Sequence, residues 1–356
     1  MQRRTLFTAA IGATLLASAG APAFAADAEP ITLRVSNWGG KATQVFIKYA
    51  ATIYTNKTGN KVQFIDGNSS DHVAKLVAAR GRNVPYDVVL LDSDVRANAI
   101  KAGVLQKPDF ARIPNAKHVY DELKNKDGYG PDFDFVSLAL VYNAEKFKQA
   151  GIPAPTSWKD LWDPRLAGRV SIPVLDNGAG RAFAIQTARL LGGDESDLTK
   201  SVAEIARIKA RSYFNTSQDL ENQLKAGEVW AAPWADGRAY AIGDQVRTLK
   251  AVRPKEGSVS YNSTIDIVAG TPHAEAAHQF INETLGPLLQ LGLAIDFYYG
   301  PTNRLLAPVI AADAELSGKI IYTIEQVKQL YLPDWNRYWP AHERAVDQWN
   351  RVITAR

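Results

Sequence analysis

The chain has 356 residues, 46% of them hydrophobic and 22% charged, with a formal net charge of +4. That length predicts two compact units rather than one small core, the composition argues against extended disorder, and so mild a charge from scattered basic residues argues against nucleic acid as a partner. The absence of cysteine rules out disulfides, thiolate catalysis and cysteine-ligated metals.

Taken in chain order, the first predicted element is a leader. Arg3 and Arg4 precede an apolar run from Leu6 to Ala19, and Ala23-Phe24-Ala25 supplies a small-x-small cleavage pattern. Charge, apolar run and small residues in that order predict a signal peptide over residues 1–25. Arg3-Arg4-Thr5-Leu6-Phe7 is also a weak twin-arginine pattern, so either export route is open. The apolar run is interrupted and shorter than the roughly 20 residues a membrane-spanning helix needs. The mature chain is expected to be exported, and a bacterial periplasm suits a protein without disulfides.

Ile31–Val35 alternates like a strand and ends at Ser36-Asn37-Trp38-Gly39-Gly40. A helix is predicted over about 42–55, a strand over 61–65 and a helix over about 70–80. Tyr86–Leu91 is a near-continuous apolar run, as expected of a buried parallel strand. It ends at Asp92-Ser93-Asp94, and a helix follows to about residue 102. This alternation predicts an α/β fold with a helix-covered parallel sheet. In such sheets ligands sit beyond the carboxyl ends of the strands, where Trp38, Asp92 and Asp94 all fall.

Residues 136–143 read as an extended crossover. Helical starts follow near Ser157 and Ala182, with a strand at 169–173 between them. Helices over about 197–210 and 218–226 lead to a short strand at 229–234. Residues 258–268 read as a second crossover, 273–285 as a helix, and the remainder as C-terminal helices.

Several ordered blocks carry a resemblance. They are Ser36-Asn37-Trp38, Tyr86-Asp87-Val88-Val89, Ser157-Trp158-Lys159-Asp160-Leu161-Trp162-Asp163-Pro164, Phe214-Asn215, Pro254-Lys255-Glu256-Gly257 and Gly300-Pro301-Thr302-Asn303. In these, across nearly the whole mature chain, the sequence resembles the periplasmic substrate-binding proteins of ABC importers, most of all the spermidine/putrescine-binding group. The resemblance implies a two-lobed periplasmic binding protein of type II, with a ligand cleft between the lobes that closes on its solute. Lobe one would comprise residues 30–137 plus 264–302, and lobe two residues 138–263 plus 303–356. The implied partner is an ABC permease in the inner membrane, with the binding protein itself a monomer; a chemoreceptor could share the same fold's docking face.

An amine cargo needs carboxylates for its charge and aromatic faces for its alkyl chain. Trp38 and Trp234 match the cleft aromatics that the resemblance implies, and Tyr261 stands where a tryptophan is expected. Asp92 and Asp94 share one strand end, where they would either chelate an ammonium group or cap the next helix. Asp134 precedes the first crossover, and Asp176 falls at the acidic corner of the polyamine group. The acids expected beyond Asp176 are missing, and Arg181 is present instead. Ser263 takes the place of an implied aspartate, which leaves Asp236 as a further candidate acid.

The expected solute is therefore a small organic cation of polyamine type. A zwitterionic amino-acid derivative or a phosphonate is the alternative, since Arg181 would pair with an anionic group. Ferric iron is the other, through Tyr298-Tyr299. The five histidines show no metal-ligand spacing, and neither a metal nor a cofactor is expected. No GxSxG elbow, Walker loop or HExxH motif is present, so a periplasmic hydrolase is not expected.

Overall fold

The computed structural model describes residues 29–354. The expected leader over residues 1–25 lies outside the described residues. Within them, no helix is long and apolar enough to cross a membrane.

The first lobe is built on a five-stranded sheet. β1 (Thr32–Asn37) pairs in parallel with β2 (Lys61–Asp66) along its whole length, and on its other edge with β3 (Val88–Asp92). Val88, Val89, Leu90 and Leu91 have no exposed surface, which explains their unbroken apolar run: the strand is covered on both faces. After the short β4 (Leu105–Gln106), the chain passes through β5 (Asp134–Phe135) into β6 (Leu138–Asn143) of the second lobe. That lobe adds β7 (Ser171–Pro173), β8 (Ser212–Phe214), β9 (Ala231–Ala235) and β10 (Leu249–Val252). The chain then returns through β11 (Ser263–Val268) to the first sheet and closes the crossover with β12 (Gly300–Pro301) against β5.

The spatial order of the first sheet is β2-β1-β3-β11-β4, and that of the second is β10-β6-β9. β7 and β8 form a parallel pair joined to β9 through the Val170–Ala231 bridge. β11 is antiparallel to β3, Ser263 opposite Asp92 and Ile267 opposite Val88.

Local signals account for most boundaries. Asn68 caps the helix Ser69–Ala79, and Ser157 with Asp160 forms a capping box. The helix expected from about residue 182 begins earlier, at Gly178, because the Asn177 side chain accepts from the Ala179 N–H. The extended segment 258–268 is regular only from Ser263; before it the chain makes isolated bridges, Ser137 to Ser260 and Val259 to Tyr331.

Each sheet has its own apolar cluster. One gathers Leu138, Leu140, Phe183, Val202 and Trp234, the other Leu33, Val35, Phe46, Phe133 and Phe280. The sequence reading places residues from 303 onward with the second lobe. In the structure Leu306, Ile310, Leu316 and Ile320 pack on Ala294, and Ile321 and Val327 join the cluster of the first sheet. The apolar sides of these short helices find their nearest uncovered apolar surface on the preceding helix, Pro287–Phe297. The C-terminal helix Trp335–Trp349 then packs on both lobes, with Tyr338, Ala345 and Trp349 in the second-lobe cluster and Trp339 also against that of Val89 and Val95.

Gly130 shows how tightly the crossover is fitted. Its N–H donates to Asp266, its carbonyl accepts from Arg96, and a Cβ there would lie 1.7 Å from the Ile265 carbonyl oxygen. Gly130→Ala is expected to destabilise the fold by about 1–3 kcal/mol or more, since the backbone itself must shift; urea denaturation measures it, and an unchanged midpoint would contradict the packing.

Candidate functional site

Three strand ends of the first lobe converge on one corner. Trp38 follows β1 and is half-buried, its ring 6.5 Å from that of Phe133. Its indole N–H donates to the Ser69 hydroxyl (3.2 Å), which in turn donates to an Asp92 carboxylate oxygen (3.0 Å) and accepts from the Asp92 N–H. Ser69, the first residue of its helix, thus ties the aromatic wall to the carboxylate. Asp92 makes no capping bond to the helix it precedes. Protein packed around it and the charge of Asp94 push its carboxyl up to about 6.

Asp134 joins the corner from the crossover. It is 1% exposed and accepts the Ser263 N–H at 2.8 Å. Burial pushes its carboxyl well above the ordinary range, and the nearby Asp132 and Asp92 add to that. The register of β11 sets Ser263 itself directly opposite Asp92.

The second lobe supplies the facing wall. Tyr261 is buried, its ring against Gly178 at the start of the helix Gly178–Leu190, and burial raises its hydroxyl well above 10. From the same helix, Arg181 reaches across the cleft to Asp94, and the pair is buried. The Arg181 guanidinium also donates to the carbonyls of Asp176 (2.8 Å) and Leu175 (3.4 Å). Asp94 accepts the Val95 N–H, and the Trp339 indole N–H donates to the Asp94 carbonyl at 2.6 Å. Arg181 and the Trp339 indole thus meet at Asp94.

The remaining expected residues fall elsewhere. Trp234 is 2% exposed, part of the second-lobe core, and donates to Ser217 at 3.2 Å. Asp236 is buried but fully engaged: it accepts from the Ser137 N–H and hydroxyl, from Gly237 N–H and from Arg253 at 3.0 Å. Asp176 is exposed, and its backbone carbonyl rather than its carboxylate meets Arg181.

Tyr298 and Tyr299 diverge. Tyr298 donates to Asp244 on the exposed side, whereas Tyr299 stacks on Phe297 and faces inward, where Asp134, Asp236 and Arg238 all act on it. Burial pushes the Tyr299 hydroxyl up to about 12, and the positive charge of Arg238 opposes that shift. A Cβ on Gly237 would sit 2.4 Å from the Tyr299 ring and 2.2 Å from the Phe297 carbonyl oxygen, so that glycine is what admits the ring. Among the described residues no group of three or more His, Cys, Asp or Glu side chains is placed to hold a metal ion.

Ser69, Arg238 and Tyr299 are therefore cleft residues that the strand-end argument passed over. Ser69 and Arg238 each lie in the first turn of a helix behind a strand, so the same rule would have found them had it been extended one turn.

Residues 49–317 match the family of bacterial extracellular solute-binding proteins. The chain belongs to this family. The binding protein is 26% identical over 352 residues to the putrescine-binding periplasmic protein SpuD of Pseudomonas aeruginosa, covering 90% of this chain and 91% of that one. It is 25% identical over 264 residues to spermidine/putrescine-binding periplasmic protein 1 of Haemophilus influenzae, 71% of each chain. Among solved structures, an ABC transporter protein of Clostridium perfringens is 25% identical with a TM-score of 0.72, covering 90% of this chain and 99% of its own. AgtB of A. tumefaciens, solved with agropinic acid, is 21% identical with a TM-score of 0.73, covering 91% and 99%; that likeness speaks for the fold alone. The binding protein is thus the solute-capturing component of an ABC transporter, with the two-lobed fold of its relatives, and not an enzyme. Proteins of this kind hand small solutes to permeases of the inner membrane.

The raised value of Asp92 fixes the sign of a pH effect. A carboxyl held above its ordinary 3.8 costs the closed fold nothing at low pH; the cost builds up between about pH 4 and about 6 and is complete above that. Asp92→Asn is expected to raise the melting temperature of the solute-free protein above about pH 6, and to lose that advantage below about pH 4. Melting curves across this range check it; a pH-independent difference would mean that Asp92 is not desolvated.

Proposed function

We propose that the protein captures a small, amine-bearing organic solute between its lobes and delivers it to an inner-membrane ABC permease. The observation that carries this reading is that Asp92 and Asp134, brought together beside Trp38, Tyr261 and Tyr299, form no ion pair among the described residues. Two buried carboxylates without an ion-pair partner favour a cation between them, and the aromatic faces add cation–π attraction and apolar contact. Their raised values mean that the amine would expel a proton as it binds. The polyamine-binding relatives support an amine cargo at about a quarter identity. Export through the leader over residues 1–25, action as a monomer in the periplasm, and lobes drawn from discontinuous segments belong to the same reading.

Arg238 favours a second reading. A guanidinium that acts on both Asp92 and Tyr299 would receive the carboxylate of a zwitterionic amino-acid derivative whose amine meets the two aspartates. The divergence of Tyr298 from Tyr299 removes the geometric basis for ferric iron.

A thermal-shift screen of polyamines, monoamines, amino acids, phosphonates and ferric iron tests the proposal. Amine-bearing compounds at about 100 times their Kd should stabilise the protein by about 2.7 kcal/mol. Stabilisation by phosphonate or ferric iron alone would overturn it. Trp38→Ala is expected to weaken amine binding by about tenfold, the loss of one desolvated cation–π and apolar contact; titration calorimetry measures it, and an unchanged affinity would remove Trp38 from the site.

A further inference from the structure

The charges facing the cleft are unequal. Lobe one contributes Asp92, Asp94 and Asp134, and lobe two contributes Arg181 and Arg238, both of which act on Asp92. Asp236 does not enter this balance, because Arg253 and Ser137 already satisfy it. Arg181 pairs with Asp94, whereas Asp92 and Asp134 form no ion pair among the described residues.

The position of the Arg181 guanidinium makes this more than a count. It is anchored on its own lobe by the carbonyls of Leu175 and Asp176 and lies on the Asp94 carboxylate of the other. Side-chain exposure is 3% for Arg181 and 0% for Asp94, so the contact is shielded from bulk solvent. A cation is thus built into the closed cleft where the carboxylates of the first lobe begin. A solute with a second ammonium group would have to displace this guanidinium or lie beside it or beside Arg238. Like charges at such separations in a desolvated site repel strongly.

We propose that Arg181 is a built-in counter-cation for Asp94 that sets specificity: the cleft accepts a solute with one cationic amine and rejects diamines and polyamines. This rests on the amine reading above. Arg181 makes its contact with Asp94 and excludes a second ammonium group by occupying that carboxylate and by its charge. Its removal should free Asp94 for a second ammonium group. The polyamine specificity of the relatives then does not carry over, for a reason located in one residue.

Three compounds of equal length separate the possibilities: butylamine, 4-aminobutyrate and putrescine, which end in a methyl, a carboxylate and a second ammonium group. Titration calorimetry on the wild-type protein should give an affinity for the better of the first two at least about tenfold above that for putrescine. Arg181→Gln should shift that ratio toward putrescine by about tenfold or more. Arg181→Lys, which keeps the charge, should restore the wild-type ratio. The double variant Arg181→Gln with Asp94→Asn, neutral at both positions, should lose the gain. Should Arg181→Gln fail to fold, the wild-type ratio and the lysine and double variants still decide. Wild-type protein that binds putrescine as tightly as the other two overturns the inference and leaves the amine reading standing. Failure of all three compounds to bind any variant overturns the amine reading itself.

Discussion

The return of the chain into the first sheet at β11, antiparallel to β3, governs the rest of the molecule. It makes the first sheet discontinuous along the chain, since β11 follows the strands of the second sheet and is paired with β3 from Ser263 onward. That register sets Ser263 opposite Asp92, and the Ser263 N–H then holds the Asp134 carboxylate. One strand therefore brings together carboxylates that lie 42 residues apart along the chain by their numbering. It also aims Tyr261, just before it, at the opposite wall. A slip of one residue would turn every side chain of β11 to the other face and dismantle the corner.

Closure rests on a second constraint, the pair formed by Arg181 and Asp94. A buried ion pair contributes little net stability, because both charges are taken from water. Breaking it is a different matter, costing about 3–5 kcal/mol when one charge is left alone. The pair is consequently better suited to specifying how the lobes meet than to holding them together. The Trp339 indole, donating to the Asp94 carbonyl, ties the C-terminal helix to the same point, so three separate parts of the chain share one aspartate. Asp92 and Asp134 make no ion pair of their own and carry the unfavourable electrostatics of the site, a pattern typical of groups that await a ligand.

Fold and cargo are separable in this protein. The fold is common to relatives with different solutes, and specificity resides in a few side chains set on it. Here two of those side chains, a serine at 263 and an arginine at 181, differ from the acids that the resemblance to the polyamine group implies. Arg238 and Tyr299 add a guanidinium and a hydroxyl to the same wall.

Much of this was legible in the sequence, for reasons that are local. The alternation of β1, the apolar run of β3 and the caps at Asn68, Ser157 and Asn177 depend on neighbours within a few residues, and so do the strand ends at Trp38 and Asp92. What the sequence by itself determined was the two-lobed α/β architecture, the two extended links and a list of candidate acids. Which of those acids is free was decided only by the tertiary structure. Asp236 is satisfied by Ser137, 99 residues away, and by Arg253, Asp94 by Arg181 at 87 residues, and Trp234 by the apolar core of its own lobe. A carboxylate is a ligand only when its charge is left uncompensated, and compensation here comes from partners that no local pattern can name.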